Sequence, residues 1–223
     1  MKKRRPVTGG NSPTDEAQST QPIATKPQNR MNFLAHALLA GESPALIVGG
    51  VVGDWIKGTL PGVLPHDLAQ GVALHRAIDS YAETHPAFCR SRTRVTPERR
   101  RYAGVLVDVF YDHLLAKHWG SLHHRPLDEY CDTVYGMIRD RLHELPISSH
   151  PGLHMMAQQD WLTSYAHIEE IADVLARMSR RARQPNPLAN GELEFLSDAD
   201  GYTEDFHEWF ADTRKFCLAW REK

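Results

Sequence analysis

Two short stretches of this chain carry acidic and imidazole side chains at helical spacing. His75 and Asp79 lie four residues apart in the segment HRAIDSYAETHP, and Asp108 and Asp112 lie four residues apart in DVFYDHLLAKHW. Residues at positions i and i+4 share one face of a helix. If two such faces meet, their carboxylate oxygens and imidazole nitrogens form a ligand set suited to a divalent metal. The spacing therefore predicts a metal-dependent hydrolase.

The carboxylates in apolar surroundings are the strongest part of this pattern. Asp108 and Asp112 are embedded in the run VLVDVFYDHLLA, and Asp54 follows the apolar segment ALIVGGVVG. Two neighbouring buried carboxylates repel each other unless a cation lies between them, and separate salt bridges to nearby arginines are the alternative. A buried Asp54 must likewise be paired, metal-bound or protonated. For Asp54, metal ligation and a salt bridge to Lys57 or Arg76 remain equally open.

An adjacent His-Asp pair, His66-Asp67, resembles the signature of the HD phosphohydrolases. It follows a proline-containing loop, however, so we interpret it as the start of a helix. In that position Asp67 lies near the positive end of the helix dipole, where a carboxylate is favoured. We therefore do not predict that this pair binds the metal.

Six arginines fall within twelve residues in the segment RSRTRVTPERRR. They are Arg90, Arg92, Arg94, Arg99, Arg100 and Arg101. A solvated face between helices is the ordinary interpretation, and a positive patch that steers an acidic protein or a phosphate is the sharper one. Few aromatic residues lie among the arginines, so stacking on single-stranded nucleic acid is not predicted.

The elements that must position these side chains are helical throughout. From residue 31 the apolar residues follow a helical period, which predicts an all-α fold. We expect a single compact domain of seven or eight helices over residues 31–223. Residues 1–30 are rich in Pro, Thr, Gln, Asn and Ser, and this composition predicts a disordered tail.

The composition of the chain argues against several classes of protein. The chain has 223 residues and a net charge of −2, which favours neither nucleic acid nor a membrane surface as a partner. The longest apolar stretch, residues 45–52, is too short to span a bilayer. The three cysteines are far apart and form no CxxC motif, so a zinc finger is not predicted. Sparse cysteines of odd number are typical of a reducing cytoplasm.

Capping residues and prolines predict where the helices begin and end. We expect helices over residues 33–40, 44–57, 67–84, 97–119, 126–145 and 202–220, with one or two more over 151–183. Gly49, Gly50 and Gly53 lie inside the second of these. Glycines at such positions allow another backbone or a substrate to approach closely.

Several of these segments together resemble one known family. MNFLAHALLA, GGVVGDWIKG, GVALHRAIDSYAETHP and DVFYDHLLAKHW are similar, in order and spacing, to successive motifs of the acyl carrier protein phosphodiesterases, and the similarity extends over residues 31–220. The resemblance implies an all-helical fold distantly related to the HD phosphohydrolases. It also implies removal of the 4′-phosphopantetheine arm from holo acyl carrier protein, with Mn²⁺ or Mg²⁺ as cofactor.

The same motifs imply a set of site residues. The family's polar positions fall on His36, Asp54, His75, Asp79, Asp108, Asp112 and His113. We predict the first six as metal ligands or their close neighbours, and His113 and Arg76 as catalytic. The six arginines of RSRTRVTPERRR are predicted to bind the acidic surface of the carrier protein. Two alternatives stay open: an HD-like phosphohydrolase acting on a small nucleotide, and a non-enzymatic helical module that binds an acidic partner.

Overall fold

The computed structural model describes residues 32–145, 151–182 and 184–223. In these ranges the chain forms α-helices and short 3-10 turns and no β-strand, which confirms the predicted all-α fold. No helix in the same ranges is long and apolar enough to cross a bilayer. The predicted tail of residues 1–30 lies outside the described residues.

Twelve α-helices occur in the described ranges, and eight of them contain eight residues or more. They are α1 (Phe33–Leu39), α2 (Pro44–Val52), α3 (His66–Thr84), α4 (Pro86–Arg94), α5 (Ala103–Lys117), α6 (Trp119–Leu122), α7 (Leu127–Arg141), α8 (Pro151–Gln158), α9 (Trp161–Ser164), α10 (Ile168–Arg181), α11 (Glu192–Ser197) and α12 (Ala199–Arg221). Three 3-10 turns cover Gly53–Trp55, Pro97–Tyr102 and Leu142–Glu144. Seven of the eight longer helices and the short α1 fall in predicted segments, whereas the short helices α6, α9 and α11 are single or double turns that apolar periodicity does not resolve.

The structure contains one substantial helix, α4, that the sequence pattern did not predict. Pro86 is its first residue, and His85 before it is extended, with φ −70° and ψ 129°. The His85 side chain accepts a hydrogen bond from the backbone N–H of Ala87 at 3.3 Å. An extended residue followed by proline at the first helical position is a standard helix start. Half of the arginine stretch therefore lies on α4, and the other half lies in the 3-10 turn Pro97–Tyr102.

Helix α5 is the centre of the fold. Nearly all of its residues are buried, and it contacts α1, α4, α10, α11 and α12. Aromatic side chains fill the interface between α5 and α12, where Tyr111 packs against Phe206 and Trp209 with ring centroids 5.5 and 5.0 Å apart. Polar side chains on so buried a helix must find partners inside the protein.

Helices α2 and α3 meet at two glycines. A Cβ atom on Gly49 would lie 2.6 Å from the Cα of Gly71, and one on Gly71 would lie 2.7 Å from the carbonyl oxygen of Ala45. Both distances are far below van der Waals contact, so only glycine permits this crossing. The contact confirms the predicted close approach of a second backbone and fixes α2 against α3.

Replacing Gly71 with alanine should lower the free energy of unfolding by about 1–3 kcal/mol, because the added carbon overlaps the backbone of α2. Urea unfolding measures the effect. Gly136→Ala in α7 is the matched control, since its Cβ would meet only the end of the Arg139 side chain, at 3.7 Å. That change should stabilise by about 0.5–1 kcal/mol, because glycine is a poor helix former. Similar responses from the two variants would show that the crossing opens without cost.

Candidate metal and phosphate site

A cleft of about 520 Å³ opens between α3, α4, α5 and the 3-10 turn Gly53–Trp55. Its lining combines acidic, basic and imidazole side chains. The acidic ones are Asp54, Asp79, Glu83 and Asp108, the basic ones are Lys57, Arg76, Arg92 and Arg101, and the imidazole is His75. The remaining wall is formed by small and apolar residues, among them Gly104 and Phe88. Both charge signs therefore face one concave surface.

Two imidazole rings and two carboxylates converge beside this cleft. The rings of His36 and His75 stack with centroids 3.9 Å apart. One oxygen of Asp79 lies 3.3 Å from Nε2 of His36, and the other lies 3.5 Å from Nε2 of His75. Asp54 places Oδ1 3.6 Å from the same His75 nitrogen. Asp79 of α3 thus contacts both rings, and Asp54 approaches His75 from the turn after α2.

The orientation of His75 is set by the backbone around it. Its Nδ1 lies 2.8 Å from the carbonyl oxygen of Gly50, a distance at which the N–H donates to that oxygen. A Cβ on Gly53 would lie 2.3 Å from Cγ of the same ring, so the ring packs directly on this glycine. With its proton on Nδ1, a neutral imidazole presents the lone pair of Nε2, as a metal-binding histidine does.

Burial and neighbouring charge act differently on the two histidines. Burial lowers the pKa of His36, and the nearby His75 lowers it further. Burial alone would also lower the pKa of His75, but the hydrogen bond to Asp54 and the charge of Asp79 raise it above its ordinary value. The two carboxylates therefore create a local field that favours a cation at His75 Nε2.

These residues fit a divalent metal ion. Ligand atoms of His36, His75 and Asp79 all lie within 4.8 Å of one another. Imidazole nitrogens and a carboxylate oxygen this close together could hold one divalent ion. Within the described residues, Nδ1 of His36, Oδ2 of Asp54 and Oδ1 of Asn32 are buried without a hydrogen-bond partner. Each such atom costs about 1–3 kcal/mol, so a further ligand at this point is favoured.

Asp108 and Asp112 were predicted to share one ligand role, and the structure separates them. Asp108 lines the cleft and is 2 % exposed. Its Oδ1 lies 3.4 Å from Nδ2 of Asn32, the residue before α1. Asp108 therefore faces the same cleft as Asp54 and Asp79.

Asp112 instead binds the first turn of α1. Its oxygens accept hydrogen bonds from the backbone N–H groups of Leu34 at 3.0 Å and Ala35 at 2.8 Å. Burial raises its pKa well above the ordinary value, against the opposing effect of these two bonds. The amides of a first helical turn have no partner inside their own helix, and Asp112 supplies one from a distant segment. Its place in the structure is thus to position the helix that carries His36.

Asp112→Asn should lower the free energy of unfolding by about 1–3 kcal/mol, because an amide NH₂ group cannot accept the second backbone hydrogen bond. Urea unfolding reports this loss. The Mn²⁺ affinity of the variant that remains folded, measured by calorimetry, should change much less than its stability. A large loss of affinity at unchanged stability would instead make Asp112 a metal ligand.

The two residues predicted as catalytic have different surroundings. His113 is not among the residues that line the cleft: its Nδ1 lies 2.8 Å from the carbonyl oxygen of Tyr165, and burial lowers its pKa. Arg76 does line the cleft. Its Nη1 donates to the carbonyl oxygen of Gly58 at 2.9 Å and its Nη2 to that of Ile56 at 3.0 Å. Arg76 thus holds the chain after Asp54 in place and leaves its positive charge at the cleft.

The arginine stretch also divides into two groups. Arg90 and Arg94 both donate through Nε to Asp205 of α12, at 2.8 and 2.9 Å, and Ser91 donates to the same carboxylate at 3.0 Å. Asp205 is 1 % exposed and was not singled out from the sequence. The only available signal is an acid within the aromatic segment GYTEDFHEWF, where a carboxylate would need a buried partner.

Two more arginines bind within the chain, and two face the cleft. Arg99 pairs with Glu194 at 3.1 Å, and Arg100 donates to the carbonyl oxygen of Val95 at 3.1 Å. Arg92 and Arg101 line the cleft. The other four arginines bind within the chain, and the partner-binding role of the stretch stays a prediction.

The adjacent His66-Asp67 pair lies away from this cluster, as interpreted from the sequence. His66 is the first residue of α3 and is exposed. Asp67 accepts a hydrogen bond from the backbone N–H of Leu68 at 2.8 Å and pairs with Arg141 at 3.1 Å. Its position at the positive end of the helix confirms the interpretation as a helix start.

Comparison with known proteins identifies the family of this chain. The profile of the family described as "Acyl carrier protein phosphodiesterase" matches residues 31–213. A protein of that name from Pectobacterium atrosepticum is 34 % identical over 68 % of this chain and 79 % of its own length. Similar proteins of the same name from Yersinia pestis and Photorhabdus laumondii are 31 % and 29 % identical over 71 % and 82 % of this chain, covering 83 % and 87 % of their own lengths. No solved structure matches significantly, so a relationship to the HD phosphohydrolases stays a prediction. The chain therefore belongs to the acyl carrier protein phosphodiesterase family.

Proposed function

We propose that this protein hydrolyses the phosphodiester that joins 4′-phosphopantetheine to a serine of holo acyl carrier protein, giving apo carrier protein and 4′-phosphopantetheine. Membership of the family supplies the class of reaction. The observation that carries the proposal is the cleft, where a cluster of histidines and carboxylates and a set of cationic side chains line one surface. A phosphodiester needs both an activated water and neutralisation of its charge.

The residues that would hold a divalent cation are His36, His75 and Asp79, with Asp54 and Asp108 beside them. Their mixed oxygen and nitrogen donors fit Mn²⁺ or Mg²⁺. When bound, the cation supplies positive charge for the phosphate oxygens and lowers the pKa of a bound water. Gly50 orients His75 toward this point through its carbonyl oxygen, and Asp112 holds the helix that carries His36.

The protein's own cations have a separate task in this proposal. Arg76 fixes the segment that follows Asp54, so that this carboxylate stays against His75. Lys57, Arg92 and Arg101 give the cleft a positive side that favours an anionic substrate. The same charges attract an acidic carrier protein, and such attraction mainly raises the rate of encounter.

The setting we propose is the cytoplasm. The three cysteines are unpaired thiols, and Cys131 and Cys217 are buried. Burial raises the pKa of both thiols to about 12, which keeps them protonated. Inert reduced thiols of this kind fit a reducing compartment.

The decisive experiment incubates the full chain with holo acyl carrier protein and follows the mass of the carrier. We expect the carrier to lose the mass of phosphopantetheine in the presence of Mn²⁺ or Mg²⁺, to remain intact after treatment with EDTA, and to react again when the metal is restored. A carrier that binds but keeps its mass would favour the non-enzymatic module. Turnover of nucleotide phosphoesters, but not of holo carrier, would favour the nucleotide hydrolase.

A further inference from the structure

Two arginines in the cleft differ from their neighbours in the sequence. Arg90, Arg94, Arg99 and Arg100 each donate hydrogen bonds to other parts of the chain. Within the described residues, Arg92 and Arg101 make neither a hydrogen bond nor an ion pair, although both line the cleft. Unpaired guanidinium groups that converge on one concave surface form a site for an anion.

The two arginines line the same cleft as His75 and belong to different elements. Arg92 is half-buried on α4, and Arg101 is in the 3-10 turn before α5. Along α5 the cleft residues continue with Gly104 and then Asp108. Seven residues separate Arg101 from Asp108, which corresponds to about 10 Å along a helix. A guanidinium on a side chain of this length reaches across part of that distance.

The wall of the cleft is open at Gly104 of α5. A Cβ on Gly104 would meet no atom within 4 Å, so nothing in the described part of the chain covers this stretch of α5. A phosphate in the cleft can therefore lie between the carboxylates that would hold the cation and the two arginines. The cleft volume of about 520 Å³ suits a small molecule or a flexible arm, and it is too narrow for the folded surface of a carrier protein.

We propose that Arg92 and Arg101 form an anion subsite that binds the phosphate of 4′-phosphopantetheine, an assignment that rests on the proposed function. Arginine suits this role because its planar guanidinium donates two parallel hydrogen bonds to phosphate oxygens. The subsite thus recognises the phosphoryl group that is transferred to water.

The reaction changes the charge that this subsite binds. The bond between phosphorus and the serine oxygen breaks, the oxygen of water becomes attached to phosphorus, and one proton goes to the serine oxygen. The phosphodiester carries one negative charge, whereas the phosphomonoester product carries nearly two at neutral pH. The two arginines therefore bind the product more tightly than the substrate, and 4′-phosphopantetheine is expected to inhibit the enzyme.

The test measures binding of 4′-phosphopantetheine to the full chain by calorimetry in EDTA, with pantetheine as the ligand that lacks phosphate. The wild type should bind the phosphorylated ligand at least about tenfold more tightly, because hydrogen bonds to charged groups are strong. Arg92→Gln and Arg101→Gln should each remove most of this difference. Arg139→Gln, an exposed arginine of α7 outside the cleft, is the matched control and should bind as the wild type does.

Thermal melting shows whether each variant is folded, so that a loss of binding can be assigned to the arginine. Arg92→Lys and Arg101→Lys retain the charge without the paired donors, so they should bind with intermediate affinity and melt as the wild type does. If the glutamine and lysine variants fold and bind 4′-phosphopantetheine like the wild type, the subsite is wrong, even if holo carrier protein is still hydrolysed. If the phosphate preference is present but holo carrier protein is not hydrolysed, the subsite stands and the proposed reaction fails.

Discussion

Asp79→Asn should reduce kcat/KM for holo acyl carrier protein by at least about 100-fold and weaken the binding of Mn²⁺ in parallel. Asp79 is the carboxylate that contacts both imidazoles, at 3.3 Å from His36 and 3.5 Å from His75. Asparagine has the shape of aspartate but lacks its negative charge, so the cluster would lose the carboxylate that contacts both rings. The carrier's mass over time gives the rate, and calorimetry gives the Mn²⁺ affinity.

Asp67→Asn is the matched control for this change. Asp67 is on the same helix, pairs with Arg141 and is exposed outside the cleft. Its loss should leave the rate within about twofold, since exposed ion pairs contribute little. If Asp79→Asn retained activity and Mn²⁺ affinity near those of Asp67→Asn, Asp79 would have no place in a metal site.

Gly53→Ala should weaken Mn²⁺ binding by at least about tenfold and reduce the rate to a similar degree. The added carbon would lie 2.3 Å from Cγ of His75, so the ring must turn and lose its hydrogen bond to the carbonyl oxygen of Gly50. Gly53 has φ −52° and ψ −38°, which alanine adopts readily. The expected loss therefore comes from displacement of the ring and not from backbone strain.

Comparison with Gly136→Ala separates this local effect from a general effect of alanine. Gly136 lies in α7, far from the cleft lining, and its substitution should leave Mn²⁺ affinity unchanged. The ring position can be followed in Gly53→Ala by the NMR signals of His75. An unchanged ring signal together with unchanged Mn²⁺ affinity would show that His75 is not held by Gly53.

The local part of the site could be predicted from the sequence. The i, i+4 spacing of His75 and Asp79 puts them on one face of α3, and the structure joins their side chains at 3.5 Å. The meeting with His36 could not be predicted from the sequence, because it depends on how α1 packs on α2 and α5. Gly49, Gly50 and Gly53 predicted that another backbone or a substrate comes close, but not which helix does so.

The two carboxylates of α5 show that helical periodicity does not predict the partner of a buried side chain. Asp108 and Asp112 share one helical face, yet Asp108 reaches the cleft and Asp112 reaches the backbone of α1. Because nearly every position of α5 is buried, the helix has no solvent face from which to infer its neighbours. The partner of each carboxylate is then decided by tertiary packing alone.

For the arginine stretch, likewise, the sequence does not predict which side chains are paired within the fold. Its composition predicted a surface for an acidic partner, and the partner of Arg90 and Arg94 is Asp205, more than a hundred residues later in the chain. A carboxylate that is 1 % exposed needs such hydrogen-bond donors to offset the cost of its burial. Sequence proximity to the site therefore did not distinguish arginines that stabilise the fold from those that face the cleft.

The link between Asp112 and α1 has a consequence for how the protein opens and closes in solution. Helix α1 has seven residues, fewer than an isolated helix needs to persist in water. Its first amides are bonded to a side chain 77 and 78 residues away, so they become protected only when α1 docks on α5. The amide hydrogens of Leu34 and Ala35 should therefore exchange with solvent at rates that report this docking. Fast exchange of these two amides would mean that α1 has undocked and has taken His36 away from the cluster. Hydrogen exchange at Leu34 and Ala35 therefore measures how often the candidate site is assembled.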